Sequence, residues 1–191
     1  EFFAALGNSN FGYYIGGTNS QLSIIQRIDY SNDSSNTTNR GNDVGRRLHF
    51  TAGNQNFGYI AGGDGGATNT IRKLDYSNDT SNTSLVSSSF FGRRSAAGVS
   101  NINFGYFAAG GIGATLYSRV DRLNFSNDTA GTSIRGPLSS TRYSHSSTGN
   151  SNFGYFGGGY GPSVSIVDRI DYSNDTTSAS IRGSLYQGRQ R

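Results

Sequence analysis

The chain of 191 residues contains no cysteine and no tryptophan, one lysine, two prolines and two histidines. Without cysteine, disulfides, thiolate metal sites and cysteine nucleophiles are excluded. Neither histidine has an acid or a second histidine at ligand spacing, which argues against a metal site and against a Ser-His-Asp triad. No apolar run approaches the roughly 18 residues of a membrane-spanning helix, so we expect no membrane insertion.

Apolar residues make up only 33% of the chain, but aromatic residues reach 13%. Disordered chains are poor in aromatics, so this composition favours a folded domain. The net charge of +4 is carried almost wholly by arginine. This excess falls short of a nucleic-acid-binding protein. We therefore expect one domain over residues 1–191, with no nucleic-acid partner.

The sequence repeats one pair of phrases four times. Asn-Phe-Gly-Tyr begins at Asn10, Asn56, Asn103 and Asn152, at steps of 46, 47 and 49 residues. A second phrase, an aromatic residue followed by Ser-Asn-Asp, ends at Asp33, Asp79, Asp128 and Asp175. A repeat of this length is typical of one supersecondary unit that buries its apolar face only against its neighbours.

Each repeat is predicted to form four short strands and no helix. In the third repeat, the side chains of residues 103–109 are predicted to point alternately to the two faces of a strand. Gly110-Gly111 permits a tight turn where that strand ends. The Ser-Asn-Asp phrase has the side chains of a turn. No segment has the 3.6-residue apolar period of a helix over ten residues.

The repeat phase at the two ends of the chain predicts closure. Counting from Asn152 through the end of the chain and on to Asn10 gives a further step of 49 residues. We therefore predict an all-β fold, a closed four-bladed β-propeller with one four-stranded antiparallel sheet per repeat of about 47 residues. The blades cover approximately residues 1–45, 46–92, 93–141 and 142–191. An open stack of repeats is one alternative, and four repeats cut from a longer array are another.

The order of residues in the third repeat resembles the kelch repeat. The residues in that order are Arg94, Gly105-Tyr106, Gly110-Gly111, Phe125, Asn127-Asp128, Pro137 and Arg142. The position of the kelch tryptophan is taken by Asn39, Leu85, Ile134 and Ile181. The resemblance implies propeller blades whose first strand lines a central channel. It also implies that the loops after the second and fourth strands emerge on one face.

Residues 153–185 are also similar to repeats in large structural and tail-associated proteins of marine bacteriophages. This second resemblance implies a virion or extracellular surface, a binding or scaffolding role, and assembly with other virion proteins. It is an analogy of sequence, and a shared fold does not by itself give a function.

Candidate binding residues lie in the loops of the implied face. Those around the channel mouth are Arg46, Arg47, Arg93, Arg94, Arg142, Tyr143 and Arg189, and Tyr117 and Tyr160 lie in the loops after second strands. Crowded guanidinium groups repel one another unless acids or ligands compensate, so the mouth is predicted to bind a small anion or an acidic partner. The alternative is that these arginines tie loops to backbone carbonyls.

A basic residue and an acid or amide two positions later recur on the third strand, as in Arg27 and Asp29. Side chains at this spacing share one face of a strand. They are predicted to form a repeated ion pair or a bridge between blades, with a polar binding site as the alternative.

These observations favour a non-enzymatic binding or structural module that contacts a glycan or a protein. We expect no catalytic residue, metal or cofactor. Two alternatives stay open. One is a purely architectural assembly subunit or spacer. The other is a glycan hydrolase that uses carboxylates not distinguishable from the repeat background.

Overall fold

The computed structural model of the chain describes residues 3–17, 22–65, 69–88, 90–162 and 165–189. Within those ranges the regular structure is short β-strands and three 3₁₀ turns, with no α-helix. Buried and partly exposed residues alternate along strands such as Phe50–Gly53 and Phe153–Gly157, with the two-residue period expected of a strand.

Repeats 1 and 2, residues 1–45 and 46–92, contribute ten strands. In repeat 1 the strands are β1 (Ala4–Gly7), β2 (Phe11–Ile15), β3 (Ile24–Asp29) and β4 (Thr38–Asn42). In repeat 2 they are β5 (Arg46–Arg47), β6 (Phe50–Gly53), β7 (Phe57–Ala61), β8 (Asp64–Gly65), β9 (Ile71–Asp75) and β10 (Ser84–Ser87). The 3₁₀ turns of these repeats are Tyr30–Asn32 and Tyr76–Asn78.

Repeats 3 and 4, residues 93–141 and 142–191, contribute the other ten. In repeat 3 the strands are β11 (Ala97–Ser100), β12 (Phe104–Ala108), β13 (Gly111–Ile112), β14 (Thr115–Leu116), β15 (Val120–Asn124) and β16 (Thr132–Arg135). In repeat 4 they are β17 (Ser146–Gly149), β18 (Phe153–Gly157), β19 (Val167–Asp171) and β20 (Ser180–Ile181). The third 3₁₀ turn is Phe125–Ala130.

Four strands of each repeat pair in chain order as an antiparallel meander. The sheets are β1–β4, then β6, β7, β9 and β10, then β11, β12, β15 and β16, then β17–β20. The small pairs β5–β8 and β13–β14 lie outside these sheets. The predicted all-β chain with one four-stranded antiparallel sheet per repeat is confirmed.

Short polar side chains fix the turns within each repeat. Before the second strand, the side-chain oxygen of Asn54 accepts the backbone N–H groups of Asn56 and Phe57 at 2.9 and 3.0 Å. After the third strand, the carboxylate of Asp75 accepts the N–H and hydroxyl of Ser77 at 2.9 and 2.7 Å. The same bonds recur at the equivalent positions of the other repeats, so each repeat has the same two turns.

Neighbouring sheets pack face to face in chain order. The first strands β1, β6, β11 and β17 contact one another in that sequence. Across each contact an aromatic ring of one repeat stacks on a ring of the next, with centroids about 5 Å apart. These ring pairs are Tyr13 with Tyr76 at 5.0 Å, Tyr59 with Phe125 at 4.8 Å and Tyr106 with Tyr172 at 4.8 Å. The core therefore lies between sheets rather than within one.

The first strands of all four repeats also face one cavity. Its volume is about 430 Å³, and its lining includes Ala5, Thr51, Gly98 and Ser147, one residue from each first strand. The polar residues on this lining bond across to the neighbouring first strand: the Thr51 hydroxyl donates to Ala5 at 2.7 Å, and the Ser147 hydroxyl donates to Gly98 at 2.8 Å.

The predicted closure of four repeats into a ring is not confirmed. In the described part of the chain, the ring stacking that joins repeats 1 to 2, 2 to 3 and 3 to 4 has no counterpart between repeats 4 and 1. Tyr155, at the position of Tyr106, makes a ring contact only with Phe153 of its own strand. Tyr30, at the position of Tyr76, is 52% exposed. No helix in the described ranges is long and apolar enough to cross a membrane.

Candidate functional site

The arginines predicted to line the channel mouth divide into a buried and an exposed set. Arg46, Arg93 and Arg142 are 1–2% exposed, whereas the next residues, such as Arg47 and Arg94, are partly exposed. Adjacent residues of extended backbone point to opposite sides, which explains the split. The prediction of an open mouth is corrected for the first three, because their guanidinium groups lie in the interior.

Each buried arginine pairs with a carboxylate and donates to at least one backbone carbonyl. The Arg93 guanidinium lies 2.6 Å from Asp121 and donates to the Phe107 carbonyl at 2.8 Å. The Arg142 guanidinium lies 2.5 Å from Asp168. Burial lowers the pKa of these guanidinium groups from the ordinary value, and the carboxylates oppose that shift. This pattern matches the alternative in which arginines tie loops to the sheet.

Arg46 finds its carboxylate elsewhere. The position of Asp121 and Asp168 on the third strand is occupied in repeat 2 by Arg72. Asp43, at the end of repeat 1, lies 2.8 Å from Arg46 and 3.3 Å from Arg72, and its side chain is fully buried. One aspartate therefore compensates two arginines. This pair was not predicted from the sequence, although Asp43 lies only three residues before Arg46.

The basic residues of the third strand bridge neighbouring repeats. Their partners are the last aspartates of the following repeat's turn: Arg27 with Asp79, Lys73 with Asp128 and Arg122 with Asp175, each at 2.8 Å. The bridge between blades was one of the two structural predictions for these residues. The acid two positions after the basic residue has a different role, because it accepts the serine donors of its own turn. Those hydrogen bonds lower the pKa of Asp29.

Three of the predicted binding residues converge on one pocket. Arg94, Tyr143 and Tyr160 line a cavity of about 290 Å³ between the loops of repeats 3 and 4. The rings of Tyr143 and Tyr160 are 5.2 Å apart and tilted by 54°. Tyr160 is 53% exposed, so its ring is open to a ligand. We call this site the Arg94 pocket.

Backbone pairing holds these side chains in place. Arg94 pairs with Gly111 through two hydrogen bonds of 3.1 and 3.0 Å. Tyr143 pairs in the same way with Tyr160, at 3.1 and 2.8 Å. The β13–β14 hairpin, which is the long loop of repeat 3, supplies Gly113 and other lining residues. The pocket therefore rests on hydrogen-bonded backbone on both sides.

The charge at the Arg94 pocket is balanced by one acid. Arg94 Nη1 donates to both carboxylate oxygens of Asp64, at 3.2 and 3.0 Å. Arg47, the equivalent arginine of repeat 2, has its Nε 3.6 Å from the same aspartate but lies outside the pocket lining. The Arg94 side chain is 41% exposed, so its remaining N–H donors reach solvent.

The two other predicted residues lie elsewhere. Arg189 is exposed, and its carbonyl accepts the N–H of Gly159 at 2.6 Å, as the carbonyl of Arg142 accepts the N–H of Gly110 at 2.8 Å. Tyr117 is partly buried and packs edge-on against Phe91 with ring centroids 5.1 Å apart. Neither lines the Arg94 pocket.

The described residues contain no group of three or more His, Cys, Asp or Glu side chains that could hold a metal ion. Both histidines lie beside the cavity of the first strands. His145 is 3% exposed. Burial, with smaller contributions from Arg142 and Arg93, lowers its pKa to about 3. The imidazole is therefore neutral at physiological pH.

No protein-family model matches the chain, and no curated protein is similar to it at a significant level.

Proposed function

We propose that the chain is a non-enzymatic binding module that contacts an acidic glycan, or a protein surface of similar chemistry, through the Arg94 pocket. One observation carries the proposal. Arg94, Tyr143 and Tyr160, from two different repeats, converge on a single cavity of about 290 Å³. Loops held on a rigid scaffold are where binding usually occurs.

The chemistry of the pocket suits a sugar with a carboxylate or sulfate group. The exposed face of Tyr160 offers an apolar surface to a sugar ring. The guanidinium of Arg94 can donate two parallel hydrogen bonds to an anionic group. Asp64 holds only Nη1 of that guanidinium and is itself able to accept from sugar hydroxyls.

The finer architecture that we infer is a β-propeller of kelch-like blades. It is supported by the meander order of the sheets, the contacts between successive first strands, and the cavity that all four first strands line. A ring of four blades would also require repeat 4 to contact repeat 1.

A purely architectural subunit is the second candidate, favoured by the extensive contacts between repeats. The ion pairs at these contacts, with side chains 7–27% exposed, hold neighbouring repeats together without disulfides. Such a scaffold suits a virion or extracellular surface, the setting implied by the phage-like repeats. There it would assemble with other virion proteins.

Hydrolysis of a glycan is the least supported alternative. The acids that recur in the repeats are engaged in ion pairs with arginine or lysine, or cap their own turns. A glycosidase needs two carboxyl groups facing one sugar. Turnover of a polysaccharide that persists after replacement of Asp64, the acid beside the Arg94 pocket, would exclude that aspartate as a catalytic group.

A glycan array with three proteins tests the binding proposal. We expect the wild-type chain to bind glycans that carry carboxylate or sulfate groups. Arg94→Gln should weaken that binding by at least about tenfold, because a hydrogen bond to a charged group contributes about 1.5–3 kcal/mol. Arg47→Gln is the matched control, since it removes the other arginine near Asp64 without changing the pocket lining.

The outcomes separate the candidates. Binding lost in Arg94→Gln and retained in Arg47→Gln supports the pocket. Equal loss in both variants points to a general effect of positive charge and contradicts it. No binding to any glycan or host surface by the wild-type chain overturns the binding function and leaves the architectural one.

A further inference from the structure

The contacts between repeats 1 and 2 form a defined junction around one buried aspartate. The side chain of Asp79 in repeat 2 is 7% exposed and receives three groups from repeat 1. The Tyr13 hydroxyl donates to it at 2.9 Å, Arg27 lies at 2.8 Å and Arg40 at 3.6 Å. Burial and this carboxylate raise the pKa of Tyr13, so its hydroxyl stays a donor.

The same junction recurs between repeats 3 and 4. Asp175 accepts from Tyr106 at 2.9 Å and lies 2.8 and 3.2 Å from Arg122 and Arg135. Between repeats 2 and 3, the equivalent Asp128 accepts from a tyrosine at 2.9 Å and from a lysine at 2.8 Å. The earlier repeat thus always supplies the donors, and the later repeat supplies the aspartate.

Repeat 4 carries the donor half of a fourth junction. The residues equivalent to those donors are Tyr155, Arg169 and Arg182, followed by Gly183; we call this set the socket. In the described part of the chain no carboxylate lies within ion-pair distance of either socket arginine. Arg169 lies over the Phe153 ring at 4.2 Å, as Arg122 lies over the Phe104 ring at 4.3 Å in an occupied junction.

The glycine of the socket gives a second sign that a neighbour is missing. A Cβ added at Gly41 or Gly136 would lie about 2 Å from a backbone carbonyl of the following repeat. A Cβ added at Gly183 would meet nothing within 4 Å. The outer strand of repeat 4 is therefore open where the outer strands of repeats 1 and 3 are covered.

Repeat 1 carries the acceptor half. Tyr30 and Asp33, which we call the plug, occupy the positions of the stacked ring and the buried aspartate in the later repeats. Tyr30 is 52% exposed, against 8% for Tyr76. Asp33 is exposed and has no ion-pair partner among the described residues. The socket is positively charged and the plug is negatively charged.

We propose that the socket of one copy of this chain binds the plug of a second copy, head to tail. Each of the three junctions within the chain places a tyrosine hydroxyl at 2.9 Å and a basic residue at 2.8 Å from one aspartate. Among the described residues, the socket and the plug of one chain make no ion pair or ring contact with each other. A second copy of the chain can supply the matching half.

Because socket and plug are different surfaces, the contact is heterologous. Such contacts generate a closed ring when the rotation between copies closes and a linear assembly when it does not. This inference concerns self-association and does not depend on the glycan binding proposed for the Arg94 pocket. A chain that binds no glycan can still assemble in this way.

Light scattering after size exclusion, over a wide range of protein concentrations, tests the proposal with two variants. Asp33→Arg reverses the plug and leaves the socket intact. Arg169→Asp reverses the charge of the socket and leaves the plug intact. Both residues are at least partly exposed, so both variants should fold, which circular dichroism verifies. Asp29→Asn is the matched control, since the third repeat has asparagine, Asn124, at that position.

We expect the wild-type chain and Asp29→Asn to associate with increasing concentration. Each reversed variant alone should be monomeric, with association weakened by about 30-fold or more, because loss of one partner of a buried charge pair acts on the whole junction. An equimolar mixture of Asp33→Arg and Arg169→Asp should associate again, because the intact socket of the first meets the intact plug of the second.

Three results would overturn the proposal. The first is a wild-type chain that stays monomeric at every concentration. If Asp33→Arg then also lowers the melting temperature, the plug closes onto its own chain instead. The second is association that is unchanged in both reversed variants. The third is a mixture that contains only monomers although the wild-type chain associates.

Discussion

The buried Arg142–Asp168 pair gives the sharpest prediction for stability. In Arg142→Met, the aliphatic part of the side chain is kept and the charge is removed. Asp168 is completely buried. Its other hydrogen bond comes from the backbone N–H of Ser139 at 3.3 Å, so its negative charge would be left without a cation. Breaking a buried pair in this way costs about 3–5 kcal/mol.

The free energy of unfolding is measured by urea titration, followed by far-ultraviolet circular dichroism and tyrosine fluorescence. Arg189→Met is the matched control, because Arg189 has the same position in the repeat pattern but an exposed side chain. It should change stability by less than about 0.5 kcal/mol. The contrast between two arginines at equivalent positions isolates burial and pairing from the loss of one positive charge.

A double variant, Arg142→Met with Asp168→Leu, tests the cause. Replacing both partners of a buried pair by apolar residues is often nearly neutral, although the N–H of Ser139 loses its acceptor at a cost of about 1–2 kcal/mol. We expect the double variant to be about 2 kcal/mol more stable than Arg142→Met. A double variant less stable than the single one, or an Arg142→Met as mild as Arg189→Met, would refute the reasoning.

Two further predictions concern pH and packing. The pKa of His145 is lowered in the folded chain, so between about pH 6.5 and pH 3 the unfolded chain binds one proton more than the folded chain. The free energy of unfolding should therefore fall as the pH decreases through this range, by at most about 1.4 kcal/mol per pH unit. Urea titrations at pH 5 and pH 7 should differ less in His145→Gln, and an unchanged difference would contradict this origin. Gly136→Ala should destabilise by about 1–3 kcal/mol, because its Cβ would strike a backbone carbonyl, whereas Gly183→Ala should leave the melting temperature of the monomer unchanged.

The sheets were predictable from the sequence because their determinants are local. The alternation of side chains along residues 103–109 and the pair Gly110-Gly111 depend only on residues next to one another. The structure has strand β12 there, followed by Gly110 with a positive φ. The turns were equally predictable from the sequence, because Asp75 accepts a hydrogen bond from the backbone N–H of Ser77, only two residues later.

The partners of the basic residues on the third strands could not be predicted, because they lie about fifty residues away. Arg27 shares a strand face with Asp29, yet it pairs with Asp79 of the next repeat, since Asp29 is occupied by Ser31. The adjacent residues Arg93 and Arg94 were equivalent candidates on sequence alone, and only the fold buries the first and exposes the second. Closure depends on the rotation between sheets, which counting residues does not give.

The aspartate shared by Arg46 and Arg72 limits how the gene for this chain can be rearranged. By backbone hydrogen bonding, Asp43 occupies the place that Phe90 and Leu138 hold in later repeats. Repeat 2 therefore depends on an acid that its predecessor alone supplies. A duplication or shuffling event that moved repeat 2 behind repeat 3 would bury two arginines beside a hydrophobic side chain. The four repeats have similar sequences, but repeat 2 has to follow repeat 1, because repeat 1 supplies Asp43.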